Sequence, residues 1–506
     1  MSNWNRRYSI VSSCIFLWGS FSFAGQKVVV IGAGLGGLVS AYELQKMGYD
    51  VRLFEKGQRP GGRVFTVNIR GTPVEIGGED FSDGGDVESV HPLIQELGLN
   101  FKELQAPFSL SYVDSHGRVL NWFDLFGQAE AKGLPIFTEE AIEKRIESVL
   151  KAIQARQSRD NIKGNMREFL EKFFEDHTDL RDFFDARMKT FEGKETEDLD
   201  FSYAKGSFKE LLELYLERFH KVKAGDQVAS SSVSIEGGNG RLPLALAKRI
   251  KEMGGQIEYQ ASPRIIHDRN NEKKYELQIE KGGTGSKPTH EIVEADIVVL
   301  AIPSSAYGDL TVDGKIKHAV EQAKVLEYSP IAKALVPLKW ATPPSGYIQS
   351  NHSFGWLSSD NSVATLYYSG KDAAVSEPDL KASIQRDFEN LERIYQATSQ
   401  VLANDLTYPG DTQFYSCPNG AIKNWTDSYA RGGYSTRTPK TAELLDATTE
   451  TCGVKVLQAF QPLNGETFYF VGEHTSKDAR GSMLGAMLSG MDAAKMIKNC
   501  HGSGSK

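Results

Sequence analysis

Three glycines and one acid carry the first recognisable chemistry of this chain. Gly32, Gly34 and Gly37 form a G-x-G-x-x-G, and Glu55 follows about 20 residues later. Glycines at this spacing allow a tight turn, let a pyrophosphate approach the backbone, and let a helix lie close to a strand. A carboxylate at that distance accepts hydrogen bonds from a ribose. It fits poorly beside a 2′-phosphate, which disfavours NADP.

The elements that must position these groups flank them. Val28 to Ile31 is a wholly apolar, β-branched run, the pattern of a strand buried on both faces. Leu38 to Met47 reads as a helix whose N-terminus offers free N–H groups to phosphate, and Gly48 ends it. Val51 to Phe54 is the next strand, with Glu55 at its end. A lone G-x-G-x-x-G marks many ordinary turns. Strand, glycines, helix, strand and acid in this order favour a dinucleotide site.

The chain has 506 residues, 40% hydrophobic and 25% charged, which is enough for two or three domains with large cores. A net charge of −8 argues against non-specific nucleic-acid binding and mildly favours cationic small molecules. The N-terminus reads as an export signal over residues 1–24: Arg6 and Arg7, an apolar Ile10 to Phe23, and a small-x-small Ser22-Phe-Ala24. The adjacent arginines point towards the twin-arginine route, although Ser9 stands where a hydrophobic residue is usual. The expected location is periplasmic or secreted, with no stable membrane span after the signal is removed. Cys417, Cys452 and Cys500 remain, with no metal-like spacing; one disulfide is open to them but its pairing is not fixed. Residues 501–506 read as a flexible tail.

Further along, Phe108 to Trp122 alternates like a strand pair around Asp114 to Gly117. Residues 142–153, 166–191 and 206–223 carry helical apolar faces. A helix follows over Leu244 to Met253, then strands at Gln256 to Tyr259 and Arg264 to His267, and a hairpin across Gly282 to Ser286. Ala295 to Pro303 reads as one buried strand. Residues 324–370 are strand-rich, Asp379 to Val401 is helical, and Thr467 to Thr475 leads into a helix over Gly481 to Ile497.

Gly61-Gly-Arg63, Glu75-Ile-Gly-Gly78, Gly237 to Pro243, Trp425 to Tyr434 and Phe470-Val-Gly-Glu473 follow the glycine motif in an order that resembles the flavin amine oxidases. These are the monoamine, polyamine and L-amino-acid oxidases. The resemblance spans nearly the whole chain after the signal. It implies an α/β (α+β) fold: a Rossmann-like FAD/NAD(P)-binding domain of the glutathione-reductase/amine-oxidase type, with an inserted substrate domain of mixed sheet plus a helical subdomain. The FAD-binding segments would be 25–85, 231–305 and 436–500, and the substrate segments 86–230 and 306–435.

Residue by residue, the resemblance implies that Gly32, Gly34, Leu35, Gly36 and Gly37 face the pyrophosphate, and that Glu55 and Lys56 meet the ribose. Gly62 and Arg63 would lie near the pyrophosphate and flavin, and Gly77, Gly78 and Glu79 against the isoalloxazine. The backbone at Arg264 would meet adenine, and Gly472 and Glu473 the ribityl chain. Ser482 and Met483 would lie at the flavin carbonyl. The implied reaction is oxidation of an amine by hydride transfer to flavin N5, with oxygen giving hydrogen peroxide and an imine hydrolysing to aldehyde or ketone. The implied partners are a small-molecule amine and molecular oxygen, and a homodimer is left open.

Several positions depart from the family. Tyr434 matches one of two aromatic rings that flank the amine, and it is the catalytic and substrate-binding candidate; Ser482 falls at the other and is not aromatic. Gly433 stands where monoamine oxidases attach FAD through Cys, so FAD should be non-covalent. No Lys follows Pro303 before Lys315, where relatives place one that holds a water near N5, and Lys333 reads as structural. His474 reads as a core or supporting histidine. Asp80 stands where L-amino-acid oxidases carry a carboxylate-clamping Arg. With Glu79, Asp83, Asp86 and Glu88 it points to a second ammonium, hence a diamine or polyamine. Arg431, beside Tyr434, is the arginine that could bind a carboxylate instead. The rival readings are an L-amino-acid oxidase, a flavin desaturase or isomerase of an apolar substrate, and a flavoprotein without turnover. No metal site is read.

Overall fold

The computed structural model describes residues 25–81, 87–160, 164–269, 274–282, 287–340, 346–438 and 440–502. The export signal, Asp83, Asp86 and the end of the tail lie outside the described residues. Among these, no helix is long and apolar enough to cross a membrane.

The glycine motif sits on a five-stranded parallel sheet. Its strands run in the order Phe468–Phe470, Ile297–Leu300, Lys27–Ile31, Asp50–Glu55, Gln256–Tyr259. Apolar, β-branched Val28 to Ile31 lies at the centre, at most 2% exposed. Parallel strands are covered on both faces. One cover is the helix Leu35–Lys46, which begins three residues earlier than its apolar pattern because Leu35, Gly36 and Gly37 are already helical. The helix Met483–His501 packs on it through small residues: a Cβ on Gly490 would stand 2.5 Å from the Gly36 carbonyl oxygen. The stretch Ala295 to Pro303 is two strands rather than one. Thr289–Ala295 belongs to a four-stranded sheet and Ile297–Leu300 to the parallel sheet. Asp296 makes the break, its N–H donating to the Lys27 carbonyl and its carboxylate accepting from the Lys27 N–H at 2.8 Å.

A second, largely antiparallel sheet of eight strands forms the other wall. Its central order is Ile331–Trp340, Val363–Ser369, Ser353–Leu357, Tyr347–Ser350, Leu110–Val113, with Ala421–Asn424 paired to Ile331–Trp340. The helix expected to run to Val401 stops at Tyr395. Gln396 takes a left-handed conformation (φ 50°), and Ala397–Ser399 adds an edge strand. The helices Trp122–Ala131, Glu139–Asp160, Met166–Phe173, Thr178–Glu192 and Phe201–Lys223 share an aromatic core around Phe126, Phe173, Phe184 and Tyr215. The expected helix over 166–191 is thus two, turned at Phe174 to His177, where the His177 N–H bonds the Phe174 carbonyl.

Candidate active site

Between the two sheets and the helical layer runs one continuous cavity of about 2630 Å³. Drug-sized ligand pockets hold roughly 300–1,000 Å³, so this cavity has room for a dinucleotide and a second molecule.

Its first end is built by the glycine motif. Gly32, Gly34, Leu35 and Gly36 line it. Gly32 needs a left-handed φ of 104°, and a Cβ there would strike the Ala301 carbonyl oxygen at 2.7 Å. Gly34 meets nothing within 4 Å at the Cβ position, so that space opens on the cavity. Gly37 does not line the cavity as expected. It carries the third role of the motif instead, because a Cβ there would stand 2.0 Å from the Gly32 carbonyl oxygen. The Glu55 carboxylate accepts from the Ala33 N–H at 2.7 Å and from the Gly57 N–H at 2.6 Å. Burial pushes its carboxyl up, against those two donors. Lys56 lines the same end and is ion-paired to Asp309 at 3.1 Å. At Arg264 the expected contact is through the backbone. Its side chain pairs with Glu280 at 2.6 Å outside the cavity, and the lining there is Ala261, Ser262 and Pro263.

The middle is held by a buried ion pair. Arg63 donates to Glu473 at 2.8 Å and to the Gly433 carbonyl at 2.7 Å. Glu473 also accepts from the Ser435 hydroxyl at 2.6 Å and the Gly481 N–H at 3.1 Å. Burial alone would raise this carboxyl; Arg63 and Ser435 outweigh it and hold it below its usual value. His474 is buried with its Nε2 at 3.2 Å from the Tyr307 hydroxyl, and burial lowers its pKa to about 4, so it is neutral. Gly62, Gly77, Gly78, Gly472, Ser482 and Met483 also line this stretch. Met483 fills the space a side chain on Gly78 would need, its Sδ lying 2.8 Å from that Cβ position. The Ser482 hydroxyl is committed to capping its helix, accepting from the Gly485 N–H at 3.0 Å and donating to the Ala479 carbonyl at 2.7 Å.

The second end is made by sheet register. Lys423, Lys333, Tyr367 and Phe354 stand opposite one another on four neighbouring strands, and Trp356 lies two residues along on the same face. All five line the cavity. Lys333 is therefore part of the cavity wall. Its ammonium donates to the Gly77 carbonyl at 2.8 Å and to Glu79 at 2.7 Å, and lies 5.1 Å from the Trp356 ring centre. Trp356 donates from its indole to the other Glu79 oxygen at 3.0 Å. The signal was present in the sequence: one Lys in the apolar run Ile331 to Leu338, at a position that stays 4% exposed. Buried lysines are rare without a partner and a purpose. Tyr434 lines the same end beside Gly481, its hydroxyl 3.1 Å from the Tyr367 hydroxyl and donating to the Phe191 carbonyl at 3.1 Å. Asp80 lines the cavity as well. Glu88 pairs with His91 at 3.5 Å, and Arg431 pairs with Asp309 without itself lining the cavity, so neither serves this end.

A parallel sheet with the glycine turn at its edge, joined by one cavity to a lysine-bearing antiparallel sheet, defines an α/β flavin-binding oxidoreductase fold. The profile of the family described as flavin containing amine oxidoreductase matches residues 35–498, and the chain belongs to that family. The family implies a flavin cofactor and a small-molecule substrate. Over 95% of its length the chain is 24% identical to the L-amino-acid oxidase of Mus musculus, covering 72% of that protein. Prenylcysteine oxidase 1 of Bos taurus is 42% identical over 93 residues, which is 18% of this chain and only 16% of that protein. A solved triple mutant of putrescine oxidase superposes with a TM-score of 0.64 at 18% identity, over 93% of this chain and 98% of that one.

Proposed function

We propose that the protein is an FAD-dependent amine oxidase, with FAD held non-covalently along the cavity and the amine bound at the Lys333 end. The donor set supports the cofactor. Gly34 leaves open space at the start of the helix Leu35–Lys46, where the helix N-terminus would meet a pyrophosphate; Glu55 would meet the ribose, and Gly77 and Gly78 line the stretch where a ring system would lie. Gly433 offers no sulfur for a covalent link. When bound, FAD would supply the hydride-accepting and oxygen-reducing chemistry for an amine held at the other end of the cavity. The chain supplies the rest. Tyr434, Tyr367 and Trp356 wall the amine end and orient the C–H bond. Lys333 and Glu79 form the pair that takes up and returns a proton beside Gly77. The imine leaves to hydrolyse to an aldehyde or ketone.

The observation that carries this reading is the buried Lys333 ammonium against the Gly77 carbonyl, inside the same cavity as the glycine motif. A peroxide-coupled screen of amines, diamines, polyamines and amino acids on the flavin-loaded protein tests it. Release of peroxide with at least one amine is expected. A coloured, loaded protein that releases none with any of them overturns the reading. The L-amino-acid oxidase alternative is kept by the long match to the mouse protein. Export to the periplasm or medium is also proposed; the Cys452–Cys500 disulfide fits an oxidising compartment.

A further inference from the structure

The helical layer brings two arginines to the cavity wall beyond the lysine end. Arg187 on the helix Thr178–Glu192 lies 4.3 Å from the Phe354 ring centre, and Arg218 on the helix Phe201–Lys223 lies 3.9 Å from that of Phe108. Tyr347 touches both rings, stacked on Phe354 at 5.4 Å and tilted against Phe108 at 6.0 Å. Both guanidiniums line the cavity. Among the described residues neither forms an ion pair with a carboxylate. The carboxylate next in sequence, Glu217, is taken by Lys221 at 2.6 Å. Arg187 donates to Gln349 at 3.1 Å, while its buried Nε has no partner among the described residues. Burial lowers the pKa of Arg218, and the nearby Tyr215, Tyr347 and Glu217 offset it only in part. Two part-buried cations without a counter-charge are costly unless an anion completes them.

The wall between this pair and Lys333 is apolar and aromatic. Lys333 to Trp356, Trp356 to Phe354 and Phe354 to Arg187 are steps of 5.1, 5.6 and 4.3 Å, so the two ends stand at most about 15 Å apart. Phe191 and Leu214, 46% and 40% exposed, face the same space. On the acidic side, the charge of Glu79 is matched by Lys333.

We infer that Arg187 and Arg218 form a binding site for a terminal oxyanion, and that the substrate is an amine with an apolar chain ending in a carboxylate or phosphate remote from the nitrogen. This rests on the amine-oxidase reading for the reacting end but not for the anion site. It replaces the diamine expected from Asp80. It also differs from an α-amino acid, whose carboxylate sits one carbon from the amine.

The test has two arms on the flavin-loaded protein. Calorimetry measures binding of octanoate, octyl phosphate and octanol to the parent, Arg187→Met and Arg218→Met, with melting temperatures confirming folded variants. Octanoate or octyl phosphate should bind the parent more tightly than octanol and lose about tenfold or more in each variant. Whichever anion binds tighter identifies the headgroup. The second arm compares kcat/KM for ω-aminooctanoate, octylamine and octanediamine. The aminooctanoate-to-octylamine ratio should exceed one and fall in both variants. Anions that bind no better than octanol, or equally well in parent and variants, overturn the site. A preference for octanediamine overturns the substrate class. Anion binding without peroxide from any amine upholds the site and sinks only the amine-oxidase reading.

Discussion

The two ends of the cavity are built by different means. At the glycine end the working groups are backbone atoms and one carboxylate from a single strand–turn–helix–strand unit, Lys27 to Glu55. At the lysine end they are side chains from separate strands and helices. Lys333, Phe354, Trp356, Tyr367 and Tyr434 meet only because the strands pair in one register, and Arg187 and Arg218 arrive from a different layer. Backbone recognition of a dinucleotide is fixed by local spacing and tolerates little change. Side-chain recognition of a small amine is set by long-range pairing and can be altered one residue at a time. The first end should therefore fail through fold or cofactor, and the second through turnover or selectivity.

The sharpest way to break this contrast lies within the motif itself. Gly37→Ala drives a Cβ to within 2.0 Å of the Gly32 carbonyl oxygen, a backbone clash that should unfold the protein or lower its melting temperature strongly. Gly34→Ala meets nothing within 4 Å and should leave the flavin-free protein as stable as the parent while weakening flavin uptake. Equal melting temperatures for both flavin-free variants would show that the two glycines do not differ in role.

At the other end, Lys333→Met keeps the volume of the side chain and removes the ammonium held by Gly77 and Glu79. Turnover should fall by about 10²-fold or more, the range of a lost proton-transfer group, with the flavin still bound. Retained turnover would return Lys333 to a structural part.

Glu55→Ala should show the reverse pattern. Charge-assisted hydrogen bonds contribute roughly 1.5–3 kcal/mol, so the flavin dissociation constant should rise about ten- to a hundredfold, with kcat preserved at saturating flavin. Equilibrium dialysis reads the first and steady-state kinetics the second. An unchanged constant would remove Glu55 from the ribose.

The smallest effect expected is on pH. Burial pushes the Glu75 carboxyl, between Thr66 and Asn239, from 4.5 to about 8. Because the folded-state value is raised, its contribution is fully present below the ordinary value and is lost as pH rises through about 8. Glu75→Gln should flatten the fall in melting temperature across that window. Parallel curves for parent and variant would contradict it.

The same division explains what could be read from the sequence. The parallel sheet and its motif were legible because a buried apolar run, three spaced glycines and an acid are local signals. Glu473 and Arg63 were found through the family resemblance, and the structure joins them at 2.8 Å. Gly37 was read both as packing and as pyrophosphate contact, and only the first fits its place. The place of Lys333 in the cavity wall was not legible because its partner Gly77 lies 256 residues away, joined by a side-chain hydrogen bond that no periodicity records. The two arginines were invisible for a plainer reason: on an amphipathic helix each looks like a solvated charge until the facing sheet is known.

The most direct test is anaerobic. Purified protein loaded with FAD is mixed with an amine without oxygen, and the visible absorbance of the flavin is followed in the parent and in Lys333→Met. The account predicts bleaching in the parent, recovery with release of peroxide when oxygen is admitted, and much slower bleaching in the variant. A parent that binds no FAD, or whose bound flavin no amine, diamine or amino acid reduces, would contradict it.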